Sequence, residues 1–387
     1  MTQPRRAAVA AVTTALVLSV PACTSAPRPA TADPADPQLL AVAQSLVDAG
    51  YPGAIAARTD PDGTPHVATA GYDNVAARTL IRPDSEVRIG SATKTFTAVV
   101  ILQMVQQGKF SLDTSIEELL PEVVVRKQGV DPTTISVRDL LQHTSGLPEY
   151  ADVIAKDPFG QRNTYRSPRD MLDIALRRHA SYEGIKTYSY SNTNYLVLGL
   201  IAERVTQRSI GELIADRIVG PLGLRHTYFP APGERRFRGP HVTGYHVTAG
   251  GDLDDISESD PSWTWAAGAM ISTPAELNKF MQAVLGGDLL DEHTTKLMLT
   301  GIPTGEDLLP GSTYGLGIES INLSCGSAWG HSGDIPGYQT RNAVASDGTA
   351  VTVTVTALPF AIFQGPEEEL LQRYRIVIDT LDQALCR

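Results

Sequence analysis

Val87-Arg88-Ile89-Gly90-Ser91-Ala92-Thr93-Lys94-Thr95-Phe96-Thr97-Ala98-Val99-Val100-Ile101-Leu102 runs from a strand-like opening through Gly90 into a helix that is apolar on every face between Ala98 and Leu102. A helix that is hydrophobic all round belongs in the interior of a domain. Ser91 and Lys94 therefore stand at the mouth of a buried helix, where polar side chains are uncommon without a task. Their i, i+3 spacing puts hydroxyl and amine on one helix face, one turn apart. A serine hydroxyl becomes a useful nucleophile when a neighbouring base takes its proton. Lys94 can be that base only as a neutral amine, so its pKa must fall to near 7, at a cost of about 4 kcal/mol, through burial and a second cation nearby. At the start of the helix, the Ser91 backbone N–H is free to face an oxyanion.

Outward from that stretch, strands are expected on both sides. Upstream, Leu39, Leu40, Ala43, Leu46 and Val47 recur at helical spacing until Gly50, and two strands follow, Gly53 to Arg58 and His66 to Tyr72, around the turn Asp60-Pro61-Asp62-Gly63. Downstream, Ser167-Pro168-Arg169-Asp170 and Thr273-Pro274-Ala275-Glu276 are helix starts. Strands then return at Thr313 to Glu319, Ala328 to His331 and Gly337 to Ser346. Asp347-Gly348 turns that last strand into the alternating Val351, Val353, Val355. Leu370, Tyr374, Val377 and Leu381 give a closing helix. The expected fold is α/β (α+β): a central antiparallel sheet flanked by helices on both sides, with an inserted mostly helical domain. The α/β part comprises 38–95 and about 236–387, and the helical part about 96–235.

Arg5 and Arg6 precede an apolar run from Ala7 to Val20, which reads as an export signal over residues 1–32 followed by a tether over 33–37. Ala30-Thr31-Ala32 offers a cleavage site. The alternative is lipid anchoring through Cys23, but Pro21 is atypical there, so free secretion is expected. Export leaves Cys325 and Cys386 as an even pair in an oxidising compartment, where a disulfide is expected. The 387 residues are 42% hydrophobic, enough for a full core, and the net charge of −11 argues against nucleic-acid binding. No His or Cys cluster has zinc spacing; His241 and His246 lack a ligand set.

Two further elements bear on the chemistry. Tyr190-Ser191-Asn192 precedes a helix: a phenol can relay a proton, and an amide can bind a substrate carbonyl. The similar Tyr72-Asp73-Asn74 sits in a strand-end turn and is read as structural. His331-Ser332-Gly333-Asp334 ends a strand, where a cation-capable ring and a hydroxyl can grip a carboxylate and glycine admits close approach. His143 is read as structural, because Lys94 and Tyr190 already supply proton transfer.

The order Ser-x-x-Lys, Tyr-x-Asn, His-Ser-Gly, with IGSATKTFTA, LLQHTSGLPEY, YSYSNTNYLVLGLIAE, GPLGL, AAGAMISTPAEL, YGLGIE and GHSGDIPGY between Arg88 and Tyr338, resembles the penicillin-recognising serine hydrolases. These comprise class C β-lactamases, D-alanyl-D-alanine carboxypeptidases, and their esterase and D-aminopeptidase relatives. LSCGSAWGHSGDIPGY and the terminal ALCR are most similar to secreted actinobacterial-type carboxypeptidases, which carry a similarly placed cysteine pair. The resemblance implies Ser91 as nucleophile, Lys94 as base, Tyr190 as proton shuttle, Asn192 as amide binder and His331 with Ser332 as carboxylate-side contacts. It also implies an oxyanion hole from the N–H groups of Ser91 and Asp334. No cofactor or metal is implied; the expected partners are small molecules or peptides (D-alanyl peptides, β-lactams) acting on a monomer. Two departures stand out. The carboxypeptidases hold the substrate's C-terminal carboxylate with an arginine shortly before the first cysteine, and Glu319 to Ser324 contains none; Arg341 is the candidate replacement. Ser332 stands for the commoner threonine. A non-catalytic penicillin-binding sensor is the rival from another class, but the three residues whose loss would mark it are all present.

Overall fold

The computed structural model describes residues 36–121, 123–124, 129–179, 186–305, 311–363 and 365–386. The export signal over 1–32, Cys23 and most of the tether lie outside them. Pro37, read as the end of the tether, already opens the helix Pro37–Asp48, whose first N–H groups are capped by the Asp36 carboxylate.

Nine strands form one antiparallel run. In spatial order they are Thr79–Leu80, Pro65–Asn74, Gly53–Thr59, Ala350–Val355, Tyr338–Val344, Gly326–Gly330, Glu319–Leu323, Thr313–Tyr314 and Ile302–Pro303; Gly333–Ile335 pairs with Tyr338–Val344 off this path. Gly53–Thr59 sits between Pro65–Asn74 and Ala350–Val355, with Ala57 opposite both Val67 and Thr352, so the two ends of the chain close one sheet.

Both faces are covered, because residues alternate sides along each strand. Ala54, Ala56, Val351, Val353 and Val355 pack with Leu39, Leu46, Val377 and Leu381 from Pro37–Asp48 and the C-terminal helix Glu367–Leu385. On the other face lie the helices Thr93–Gln106 and Pro274–Gly286, joined by the stacked rings of Phe96 and Phe280. There Asn278 accepts hydrogen bonds from Thr352 (2.6 Å) and Asn342 (3.1 Å), so a polar cluster fills part of the interior. The expected Cys325–Cys386 disulfide is present and ties the turn after Glu319–Leu323 to the end of the C-terminal helix.

One local difference bears on the site. The segment expected as one strand from Thr313 to Glu319 is broken at Gly315-Leu316-Gly317. Gly317 has φ +83°, and a Cβ there would stand 2.4 Å from the Ala98 Cβ, so the chain crosses tightly over Thr93–Gln106. Thr95 fastens that crossing by donating to the Gly317 carbonyl at 2.8 Å. The helix that starts at Thr273-Pro274-Ala275-Glu276 runs to Gly286, and Gly287 supplies the left-handed cap. Among the described residues, no helix is long and apolar enough to cross a membrane.

Candidate active site

Ser91 lies in the short 3₁₀ turn Gly90–Ala92 that leads into Thr93–Gln106. Lys94 is fully buried, and its Nζ meets three groups: Ser91 Oγ at 3.0 Å, Asn192 Oδ1 at 2.7 Å and the Ala267 carbonyl at 2.9 Å. A neutral amine has two N–H donors and one lone pair. The amide and carbonyl oxygens take the two donors, which leaves the lone pair for the Ser91 proton. Burial brings the Lys94 pKa down to about 7, against Glu149 and Glu319, whose charges push it up. The expected second cation is absent from this balance; desolvation alone does the work.

Tyr190 and Asn192 come from one extended segment that enters the helix Asn192–Thr206. Residues two apart in an extended chain share a side, so both face Lys94, while Ser191 turns away to cap the helix and donate to the Pro148 carbonyl. The Lys94 ammonium position is 4.8 Å from the Tyr190 ring centre, and Ser91 lies near enough to the phenol to act on its ionisation. Burial holds the Tyr190 pKa well above its ordinary value, so the phenol keeps its proton and is not a phenolate base. Asn192, expected to bind a substrate carbonyl, also positions the base. Its side-chain amide donates to Glu149 Oε2 at 3.0 Å, and its backbone N–H donates to the same oxygen at 2.7 Å.

His143 does not touch Ser91, yet it lies directly behind Tyr190, the two rings stacked at 4.2 Å. Its backbone takes φ +58°, a left-handed conformation uncommon outside glycine. Nδ1 accepts from the Ser191 N–H (3.2 Å) and the Asn194 amide (2.9 Å), so the ring proton is on Nε2 and is donated to the Tyr314 hydroxyl at 3.3 Å. Tyr314 donates in turn to His331 Nε2 at 2.8 Å, and His331 Nδ1–H donates to the Ser332 carbonyl at 2.6 Å. The network fixes both tautomers.

The carboxylate side departs from expectation. His331 is buried with both ring nitrogens engaged, and desolvation lowers its pKa, so it is a neutral link to Tyr314 and not a cation for a substrate carboxylate. The Ser332 hydroxyl donates to Glu319, at 2.9 and 3.1 Å from its two oxygens. Arg341 is buried and held by both oxygens of Asp334, at 2.5 and 3.3 Å, so it offers no free guanidinium. Gly333 and Asp334 pass close against the segment that carries Ser91. A Cβ on Gly333 would fall 2.0 Å from the Ile89 carbonyl, and one on Gly90 would fall 3.0 Å from the Asp334 nitrogen. Only a pair of glycines lets these two segments, and with them the N–H groups of Ser91 and Asp334, come so close.

Sequence reasoning missed Glu149, Tyr314 and Glu319 as members of the site. All three stand in the quoted stretches or beside them, but nothing in their spacing marks them; strand register and loop packing bring them in. Among the described residues, no group of three or more His, Cys, Asp or Glu side chains could hold a metal.

A family profile described as Beta-lactamase matches residues 39–370. The D-stereospecific amidohydrolase from Streptomyces sp. superposes with a TM-score of 0.76 at 32% identity, over 87% of this chain and 97% of that one. The D-amino acid amidase from Ochrobactrum anthropi SV3 shares the fold, with a TM-score of 0.76 at 23% identity, over 90% and 98%. "Protein flp" from Staphylococcus aureus (strain MW2) is 30% identical over 214 residues, 55% of this chain; the match spans 41% of that protein's length. With the profile matching most of its length and a Ser91–Lys94–Tyr190 cluster at the mouth of a buried helix, this chain belongs to the beta-lactamase family and is a serine hydrolase.

Proposed function

We propose that the chain is an amidohydrolase that cleaves amides of D-configured amino acids through an acyl-enzyme on Ser91. The observation that carries this reading is the charge around Ser91. Its basic neighbours Lys94, His331 and Arg341 are neutral, neutral and paired, whereas the carboxylate of Glu149 is braced on Asn192 and close enough to act on Lys94. Such a site suits a substrate with a free ammonium group on its acyl side. The D-stereospecific amidohydrolase likeness supports the stereochemistry.

In this mechanism Ser91 Oγ attacks the amide carbon as its proton passes to Lys94. The N–H groups of Ser91 and Asp334 receive the oxyanion, each contributing about 3 to 4 kcal/mol to the transition state. Lys94 returns that proton through Tyr190 to the departing nitrogen, the C–N bond breaks, and an ester on Ser91 remains with Lys94 neutral again and Tyr190 protonated. Water, deprotonated by the same pair, attacks that ester and releases the acid.

D-Alanyl-D-alanine carboxypeptidase activity is the alternative, supported by the LSCGSAWGHSGDIPGY likeness. It requires a cation for the leaving carboxylate, which Arg341 could supply only by giving up Asp334. A panel of D- and L-amino acid amides, a D-alanyl-D-alanine peptide and a chromogenic cephalosporin separates the readings. Ammonia release from D-amides is expected; D-alanine release with inert D-amides would overturn the proposal in favour of the carboxypeptidase. The proposal extends to location and assembly: a monomer, secreted after removal of the leader, as Arg5, Arg6 and the Cys325–Cys386 bridge support. N-terminal sequencing of protein from culture medium and light scattering test both.

A further inference from the structure

Glu319 is hydrogen-bonded to Ser332, one of the residues that the resemblance places on the carboxylate side, where it calls for a cation. It lies opposite Gly330 in strand register, two residues from Ser332, so no side chain from that partner position covers it. Ser332 fixes it with its hydroxyl and, at 3.4 Å, with its backbone N–H. The Glu319 side chain is 21% exposed and, with Ser332, Arg341 and Tyr374, lines a pocket. Its basic neighbours direct their hydrogen bonds elsewhere. His331 Nδ1 is 3.7 Å away, but its hydrogen is directed to the Ser332 carbonyl and the ring is neutral. Arg341 directs both terminal guanidinium nitrogens to Asp334, so its charge reaches Glu319 only at longer range. Lys94 feels Glu319 across the site but is held near neutrality by burial. A carboxylate has about four lone-pair positions. Ser332 occupies only part of that capacity.

We infer that Glu319, oriented by Ser332, is a subsite for a positively charged leaving group, so that amides whose departing amine carries a second, cationic group are preferred over those carrying a carboxylate. This rests on the amidohydrolase reading. The charge of Glu319 selects, because a carboxylate facing an ammonium a few ångströms away is attractive, whereas two carboxylates at that distance repel. A merely structural Glu319 would serve only to hold Ser332, and glutamine would serve equally well, since its carbonyl oxygen can accept the same hydroxyl.

The experiment compares kcat/KM for three D-phenylalanine amides of matched length, with n-butylamine, 1,3-diaminopropane or β-alanine as leaving amine, in wild type and Glu319→Gln. For wild type, the cationic amide is expected to exceed the neutral one by about tenfold and the anionic one by about a hundredfold, chiefly through KM, with both ratios shrinking as salt is raised. Glu319→Gln should bring all three within about threefold of one another. Equal wild-type rates with the butylamide turned over would overturn the inference and leave the amidohydrolase reading intact. A wild-type preference that survives in Glu319→Gln would also overturn it, by placing the selection elsewhere. No turnover of any of the three would remove both.

Discussion

Replacing Lys94 with methionine tests the charge state of the base without measuring catalysis. Burial lowers the Lys94 pKa from the ordinary 10.5 to about 7, which at about 1.36 kcal/mol per pH unit sets roughly 5 kcal/mol against the ammonium in the folded protein. Methionine has a similar length and no charge, so Lys94→Met escapes that penalty. It also leaves Asn192 Oδ1 and the Ala267 carbonyl without their donor, at about 1 to 3 kcal/mol each. The net change near pH 7 is therefore modest, but the two contributions respond differently to pH. The lost hydrogen bonds cost the same throughout. The charge penalty fades, because between about pH 7 and 10.5 the unfolded chain holds a proton that the folded one has released, and unfolding free energy rises with pH wherever that is so. From about pH 7 to about pH 9.5, wild type should gain about 3 kcal/mol on Lys94→Met. Urea unfolding of both proteins at the two pH values, with the disulfide intact, gives the comparison. A constant difference would refute the reasoning, since it would mean that Lys94 keeps its proton in the fold and cannot accept one from Ser91.

Tyr190→Phe keeps the ring stacked on His143 but removes the relay, so kcat should fall by about a hundredfold or more with the melting temperature little changed, as steady-state kinetics and calorimetry will show. Gly333→Ala drives a methyl group into the Ile89 carbonyl and pushes Asp334 from the oxyanion hole; active-site titration should show acylation slowed by about a hundredfold. Replacing both Cys325 and Cys386 with serine opens a bridge across a sequence separation of 61, and denaturant unfolding should show a loss of about 4 kcal/mol.

The gathering of Ser91, Lys94 and Tyr190 could be read from the chain because it depends on local geometry. Ser91 and Lys94 share a face of one helix, and Tyr190 and Asn192 share a side of one extended segment. The cysteine pairing followed from compartment chemistry. His331 shows where such reading stops. Its letters and order fit a cation-bearing motif, but burial sets its charge, and its ring is held by Tyr314 on another strand and, through Tyr314, by His143 from the helical region. Glu319 was visible only as the absence of an arginine, because its grip on Ser332 exists only once Glu319 and Gly330 lie opposite each other. In Ala350–Val355, the Val and Thr alternation suggests one wet face, yet all six residues are buried. The threonine side is satisfied internally, by Asn278 and by Thr340. The Gly315–Gly317 break was signalled by its two glycines, although the flanking residues read as continuous strand.

The most direct measurement is the rate of Ser91 acylation against pH, followed by rapid quench with a D-amino acid aryl ester and located by mass spectrometry of the digested protein. The account predicts an acyl group on the peptide containing Ser91, formed at a rate that climbs as Lys94 loses its proton through about pH 7 and then levels off. An adduct on any other residue, or a rate on Ser91 that is flat from about pH 5 to about pH 9, would contradict it.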